Sequence, residues 1–300
     1  MMTDALRTPD DRFEGLPGWP YTPHYADDLP GYEGLRVHYV DKGPKNAVRT
    51  YLCLHGQPTW SYLYRKMIPV FLDSGARVIA PDWLGFGRSD KPVADETYTF
   101  HFHRNMMLAL IERLDLKDIT LVCQDWGGLL GLTLPPDMPN RFERLIVMNT
   151  TLATGTSPSE GFNAWKAYSA SLPDMDVAAL MKRGTPVLSD EEAAAYGAPF
   201  PDASYKAGVR RFPDLVMVEP GMDGVETSKR AAAWWAQDWH GDTFMAVGGA
   251  DPVLGPPVME TLRAQIRRCP EPMVIEDAGH FVQEWGAPIA KAALKAFGEI

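Results

Sequence analysis

The chain has 300 residues, 45% of them hydrophobic, and a formal net charge of −10; that suits one large domain or two modest ones with a real core, and no basic stripe offers itself to nucleic acid or an anionic membrane. The polar, acidic start "MMTDALRTPDDRF" is neither a signal nor a transit peptide, and no apolar run approaches the roughly 18–20 residues that cross a bilayer. Of three cysteines, Cys53 and Cys123 lie in apolar runs, which argues against a disulfide framework and for a cytoplasmic location.

"LRVHYVDKG" (35–43) and "RTYLCLHG" (49–56) read as strands, with an antiparallel hairpin at a sheet edge as the expected pairing. A helix is expected over 61–74, then a strand in "RVIAPD" (77–82), a helix over 100–114 and a strand in "ITLVCQD" (119–125). A helix after Trp126 and the strand "RLIVMN" (144–149) follow. The rhythm returns with "TFMAVGGAD" (243–251), a helix near 256–268, "PMVIED" (272–277) and a last helix over 286–298. Apolar strands separated by crossover helices imply an α/β fold, a mostly parallel, doubly wound sheet covered on both faces. Between 151 and 220 the alternation fails, and the Ala-, Ser-, Pro- and Gly-rich segment reads as an inserted helical cap. The expected organisation is a core of 1–150 and 221–300 with a cap of 151–220.

The most informative stretch is "LVCQDWGGLLGL" (121–132), where a buried strand delivers Asp125 into a glycine turn before a helix. Ligands of doubly wound sheets sit outside the carboxyl ends of the strands. The pattern Cys123-Gln124-Asp125-Trp126-Gly127-Gly128 has the shape of a nucleophile elbow, G-x-S-x-G, with a carboxylate in place of serine. A lone Asp before a helix is most often a simple N-cap. Here the two glycines and the residues below favour a nucleophile. An ionised carboxylate attacks a saturated carbon directly and leaves an ester on the enzyme.

His280, in "IEDAGHFVQEWG", follows the last predicted strand and is the expected base. Nucleophile, acid, histidine is the chain order of this elbow architecture. The acid that orients the imidazole is expected at Asp251, in "GGADPVLG". Asn149 also ends a strand but carries no charge; Asp238 and Asp242 are fallbacks that precede their strand. "LHGQPTW" places the backbone N–H of Gln57 as one oxyanion donor, and the N–H of Trp126 is the other. His55 is expected to be a structural hydrogen-bonder and Asp82 an organiser of loops.

With these residues assembled, the chain resembles the haloalkane dehalogenases of the α/β-hydrolase superfamily. The motifs that carry the resemblance are "HGQPTW", "PDWLGFGRSDKP", "CQDWGG", "GADPVLG" and "DAGHFVQE", in order and over nearly the full length. It implies hydrolysis of carbon–halogen bonds by Asp125, His280 and Asp251, without cofactor or metal, the partners being haloalkane, water and halide. It also implies that Trp126 and Trp165 bind the halide and that Phe162, Phe212, Pro213 and Val216 line the substrate pocket. Gln57 stands where relatives often carry Glu or Asn. A monomer is expected. The rival reading is an epoxide hydrolase, which needs tyrosine donors from the cap; Tyr168, Tyr196 and Tyr205 are the candidates, against which stands Gln124 before the nucleophile. A haloacid-type relative, a serine esterase and a non-catalytic receptor fit less well.

Overall fold

Strands whose residues are apolar on both faces end up in the middle of the sheet, and this chain sorts itself that way. The computed structural model describes residues 3–300. In chain order the elements are β1 (Ala5–Leu6), β2 (His24–Ala26), β3 (Val37–Lys42), β4 (Thr50–Leu54), α1 (Ile68–Asp73), β5 (Arg77–Pro81), β6 (Lys91–Pro92), α2 (Phe100–Arg113), β7 (Ile119–Gln124), α3 (Trp126–Gly131) and β8 (Phe142–Met148). Then come α4 (Glu160–Ala170), α5 (Val177–Gly184), α6 (Asp190–Gly197), α7 (Ala207–Leu215), α8 (Val225–Gln237), β9 (Asp242–Gly248), α9 (Pro256–Gln265), β10 (Met273–Ile275) and α10 (Gly286–Ala296). Eight strands form one sheet in the order β10-β9-β8-β7-β4-β5-β3-β2; β1 and β6 pair separately. All neighbours from β10 to β5 are parallel; β3 is antiparallel to both β5 and β2, so it alone runs against the rest of the sheet.

The expected hairpin of the first two long strands does not form. β5 lies between β4 and β3, and β3 pairs with β5 instead. Every residue of β4 is buried, so it needs a neighbour on each side, and β7 and β5 supply them. The exposed edge beyond β3 is covered by β2, which is too short to leave a periodic signal. The helix expected over 61–74 is also interrupted. A 3₁₀ turn at Ser61–Tyr64 precedes α1, and Pro69 falls in the first turn of α1, where its missing N–H is harmless.

No strand occurs between Met148 and Val225; helices α4 to α7 occupy that span, with α5 packed on α6 and α7 on α4. A buried ionic cluster fastens α6 to the rest. Arg65 binds Glu284 through both terminal nitrogens at 2.6 and 2.7 Å and Glu192 at 2.7 Å, and the Tyr196 hydroxyl donates to Glu284. The Trp60 indole donates to the Ala195 carbonyl at 3.1 Å. Each charge in the cluster has a partner, the condition under which burial of ions is tolerated.

Candidate active site

The site is built at the carboxyl ends of β7, β8 and β9 and in the loop after β10. Asp125 follows the last residue of β7 with φ +50° and ψ −125°, a backbone that L side chains seldom adopt. The strand can turn this sharply into α3 only because Gly127 has no side chain; a Cβ there would lie 1.9 Å from the Leu54 carbonyl oxygen. Asp125 occupies the N-cap position of α3, yet its carboxylate makes no cap bond. It is turned the other way, and Oδ1 accepts the Gln57 N–H at 2.7 Å. That orientation removes the simple capping role weighed above. Trp126 is the first residue of α3, so its amide has no acceptor within the helix.

His280 Nε2 lies 3.3 Å from Asp125 Oδ2, and its Nδ1 lies 2.8 Å from Asp251 Oδ2. The loops that carry Asp251 and His280 approach so closely that a Cβ on Gly248 would sit 2.1 Å from the Gly279 carbonyl. Gln124 Nε2 donates to the His280 carbonyl at 3.1 Å and steadies that loop from the residue before Asp125. Asn149, set aside above because it lacks charge, holds the acid. Its Nδ2 donates to Asp251 Oδ2 at 2.9 Å while its Oδ1 accepts the Gly248 N–H at 2.8 Å. The fallback acids lie elsewhere: Asp238 caps the end of α8, and Asp242 begins β9 and pairs with Arg144.

His55 and Asp82 scaffold the loop that carries Gln57. His55 Nδ1 donates to the Gly56 carbonyl and Nε2 accepts the Trp83 N–H. Asp82 accepts from His38 and from the Ser61 and Arg88 amides. The Gln57 side chain donates to the Val209 carbonyl at 3.0 Å, which ties this loop to α7.

Beside Asp125 opens a cavity of about 240 Å³. Trp126, Trp165, Phe162, Pro213 and Val216 line it. Phe212 does not: it is wholly buried one layer behind, its ring 4.6 Å from that of Trp126 and 4.7 Å from that of Phe86. The helical face that carries Pro213 and Val216 toward the cavity turns Phe212 into the packing beneath it. Lining residues that the sequence did not single out include Leu180, Arg183 and Val253. Their apolar or surface character is indistinguishable from ordinary cap packing. None of Tyr168, Tyr196 and Tyr205 lines the cavity.

Four of the nine indoles have a protein acceptor. Trp60, Trp83, Trp235 and Trp239 each donate to a protein oxygen. Trp126 and Trp165, the two that border the cavity, have no acceptor among the described residues. An indole N–H without a protein acceptor, on a residue that lines a largely apolar cavity, is a donor free to take an anion.

Burial disfavours the His280 cation, but Asp251 and Asp125 together more than offset it and raise its pKa from 6.5 to about 10. Asp251 is pushed up by burial and pulled further down by His280, so it is held below the usual carboxylate range. A folded-state pKa above the unfolded value contributes stability that is complete below pH 6.5 and lost as pH rises through about 10. The melting temperature of His280→Gln is therefore expected to fall less than that of the parent between those pH values. Parallel curves would mean that the two carboxylates do not hold His280 charged.

Residues 51–287 match the family model described as the alpha/beta hydrolase fold. A haloalkane dehalogenase of Psychrobacter cryohalolentis is 45% identical over 293 residues, 95% of each chain. One of Mycolicibacterium paratuberculosis is 40% identical over 290 residues, again 95% of each. The solved structure of haloalkane dehalogenase DpaA from Paraglaciecola agarilytica NO2 superposes with a TM-score of 0.97 at 53% identity, over 99% of this chain and 100% of that one. DpaA is described as tetrameric, which does not fit the expectation of a monomer. No helix among the described residues is long and apolar enough to cross a membrane.

Proposed function

We propose that this chain, which belongs to the haloalkane dehalogenases of the α/β-hydrolase fold, hydrolyses haloalkanes to a primary alcohol, halide and a proton through an ester on Asp125. One observation carries the mechanism: the elbow residue is a carboxylate that ignores its own helix, faces a largely apolar cavity and touches both the Gln57 N–H and His280.

In the first step Asp125 Oδ2 attacks the halogen-bearing carbon as the carbon–halogen bond breaks, and the indole N–H groups of Trp126 and Trp165 receive the halide. A halide released into an apolar pocket without donors would be a buried, unpaired charge. The resulting ester is neutral. Asp125 then no longer supplies the charge and hydrogen bond that help to keep His280 protonated. The imidazole gives up its proton to solvent, where it is the proton among the products, and becomes a base only when a base is needed. It takes a proton from water as the water oxygen bonds to the Asp125 carboxyl carbon. Oδ1, already on the Gln57 N–H, becomes the oxyanion, and the Trp126 N–H is its second donor. On collapse the ester bond breaks, the imidazolium returns its proton to the departing alkoxide to give the alcohol, and the carboxyl proton left on Asp125 passes back to His280. Asp251, fixed by Asn149 and the Val253 N–H, keeps Nε2 pointed at the nucleophile.

On this reading residues 151–220 are a cap over a core of 1–150 and 221–300, with Phe162, Trp165, Pro213 and Val216 supplying the cap's share of the substrate pocket. Three free cysteines support a reducing, cytoplasmic setting. The test is turnover of 1-bromobutane and 1,2-dibromoethane with bromide measured, beside styrene oxide. Bromide release with inert styrene oxide is expected. The reverse pattern would assign the site to epoxides, and no product from either would leave a receptor. One cycle in heavy-oxygen water is expected to label Asp125 before the alcohol; a labelled alcohol in that cycle would show water attacking the substrate itself.

A further inference from the structure

The cavity carries one charge that the hydrolytic steps leave unused. Its lining is apolar apart from Asp125, His280, Gln57, Thr151, Arg183 and the indole N–H groups. Arg183 stands exposed in the last turn of α5. Its guanidinium carbon lies 5.0 Å from the centre of the Tyr168 ring, and that ring is 6.1 Å from Trp165. Trp165, Tyr168 and Arg183 thus form a row from a cavity wall to solvent. Its sequence neighbour Lys182 has a carboxylate partner, Asp190 at 3.0 Å. Arg183 forms no ion pair among the described residues. It is a planar, always-charged fork of donors, seated on an aromatic face and lining the same cavity as Asp125.

We propose that Arg183 receives the carboxylate of an ω-haloalkanoic acid, so that the site takes haloalkanes with a remote carboxylate as well as neutral ones. The inference rests on the dehalogenase reading. The halogen end would lie at Asp125 while the carboxylate stays at the mouth, paired and still hydrated. Chain length decides whether this works. A short haloacid carries its carboxylate into the apolar cavity beside Asp125, where it meets both a like charge and the loss of water. A chain long enough to reach the rim avoids both. The net charge of −10 opposes any anion at long range, so Arg183 must act by contact.

The experiment compares kcat/KM of the full chain for 6-bromohexanoate and 1-bromohexane, with bromoacetate as the short acid. The parent is expected to release bromide from the two six-carbon substrates and little from bromoacetate. The ratio of acid to neutral substrate is expected to fall about fivefold in Arg183→Gln and further in Arg183→Glu, as for a solvent-exposed, charge-assisted pair. A ratio that stays put in Arg183→Glu would mean that Arg183 only eases halide exit, which serves both substrates alike, and would overturn the proposal. So would a parent that turns over 1-bromohexane but not 6-bromohexanoate. A parent inert toward 1-bromohexane would instead sink the dehalogenase reading beneath it.

Discussion

His280→Gln is expected to release a single equivalent of halide per site and then stop. The first step uses only Asp125 and the halide donors; the second needs a proton taken from water by an imidazole 3.3 Å from the nucleophile. Glutamine fills similar space and holds no removable proton charge, so steady-state turnover is expected to drop by about 1,000-fold or more, the range for loss of a positioned general base. The chain would gain the mass of the alkyl group, and peptide mapping would put it on Asp125. Continued halide release at the parent rate would remove His280 from the role of base. A stalled enzyme with no added mass would remove the ester.

Trp126→Phe is expected to slow halide formation by about 100-fold, the usual loss when one preorganised donor to a developing anion is deleted. Phenylalanine keeps an aromatic ring against Phe212, whose centroid lies 4.6 Å away, so packing changes little. The indole N–H is what disappears, and with it a donor that no protein oxygen uses. Bromide quenching of the remaining indole fluorescence should weaken in parallel. A rate within about twofold of the parent would show that the halide leaves without help from this side chain.

What the sequence made legible divides along a physical line. The parallel strands and their helices announce themselves because burial on both faces leaves long apolar runs, as in β4 and β7. The elbow is legible because so tight a turn restricts residue types for several positions in succession. Pairing order is not: nothing local in "RTYLCLHG" says that β5 will come between it and β3. Depth is not legible either. Phe212 and Pro213 are adjacent in sequence, yet one is packing and the other is wall. Asn149 escaped because a neutral amide was weighed as a rival to Asp251, when it hydrogen-bonds Asp251 instead.

The backbone at Asp125 has a consequence for how such a protein drifts. Positive φ with this ψ is glycine's territory, and another residue there forfeits about 1–3 kcal/mol that a glycine would return. Backbone strain therefore favours erasing this side chain, while its contacts with the Gln57 N–H and His280 resist the change. A glycine there would trade relief at one bond for two broken ties between loops, so drift at this position is held back by its neighbours as well as by the chemistry proposed for it.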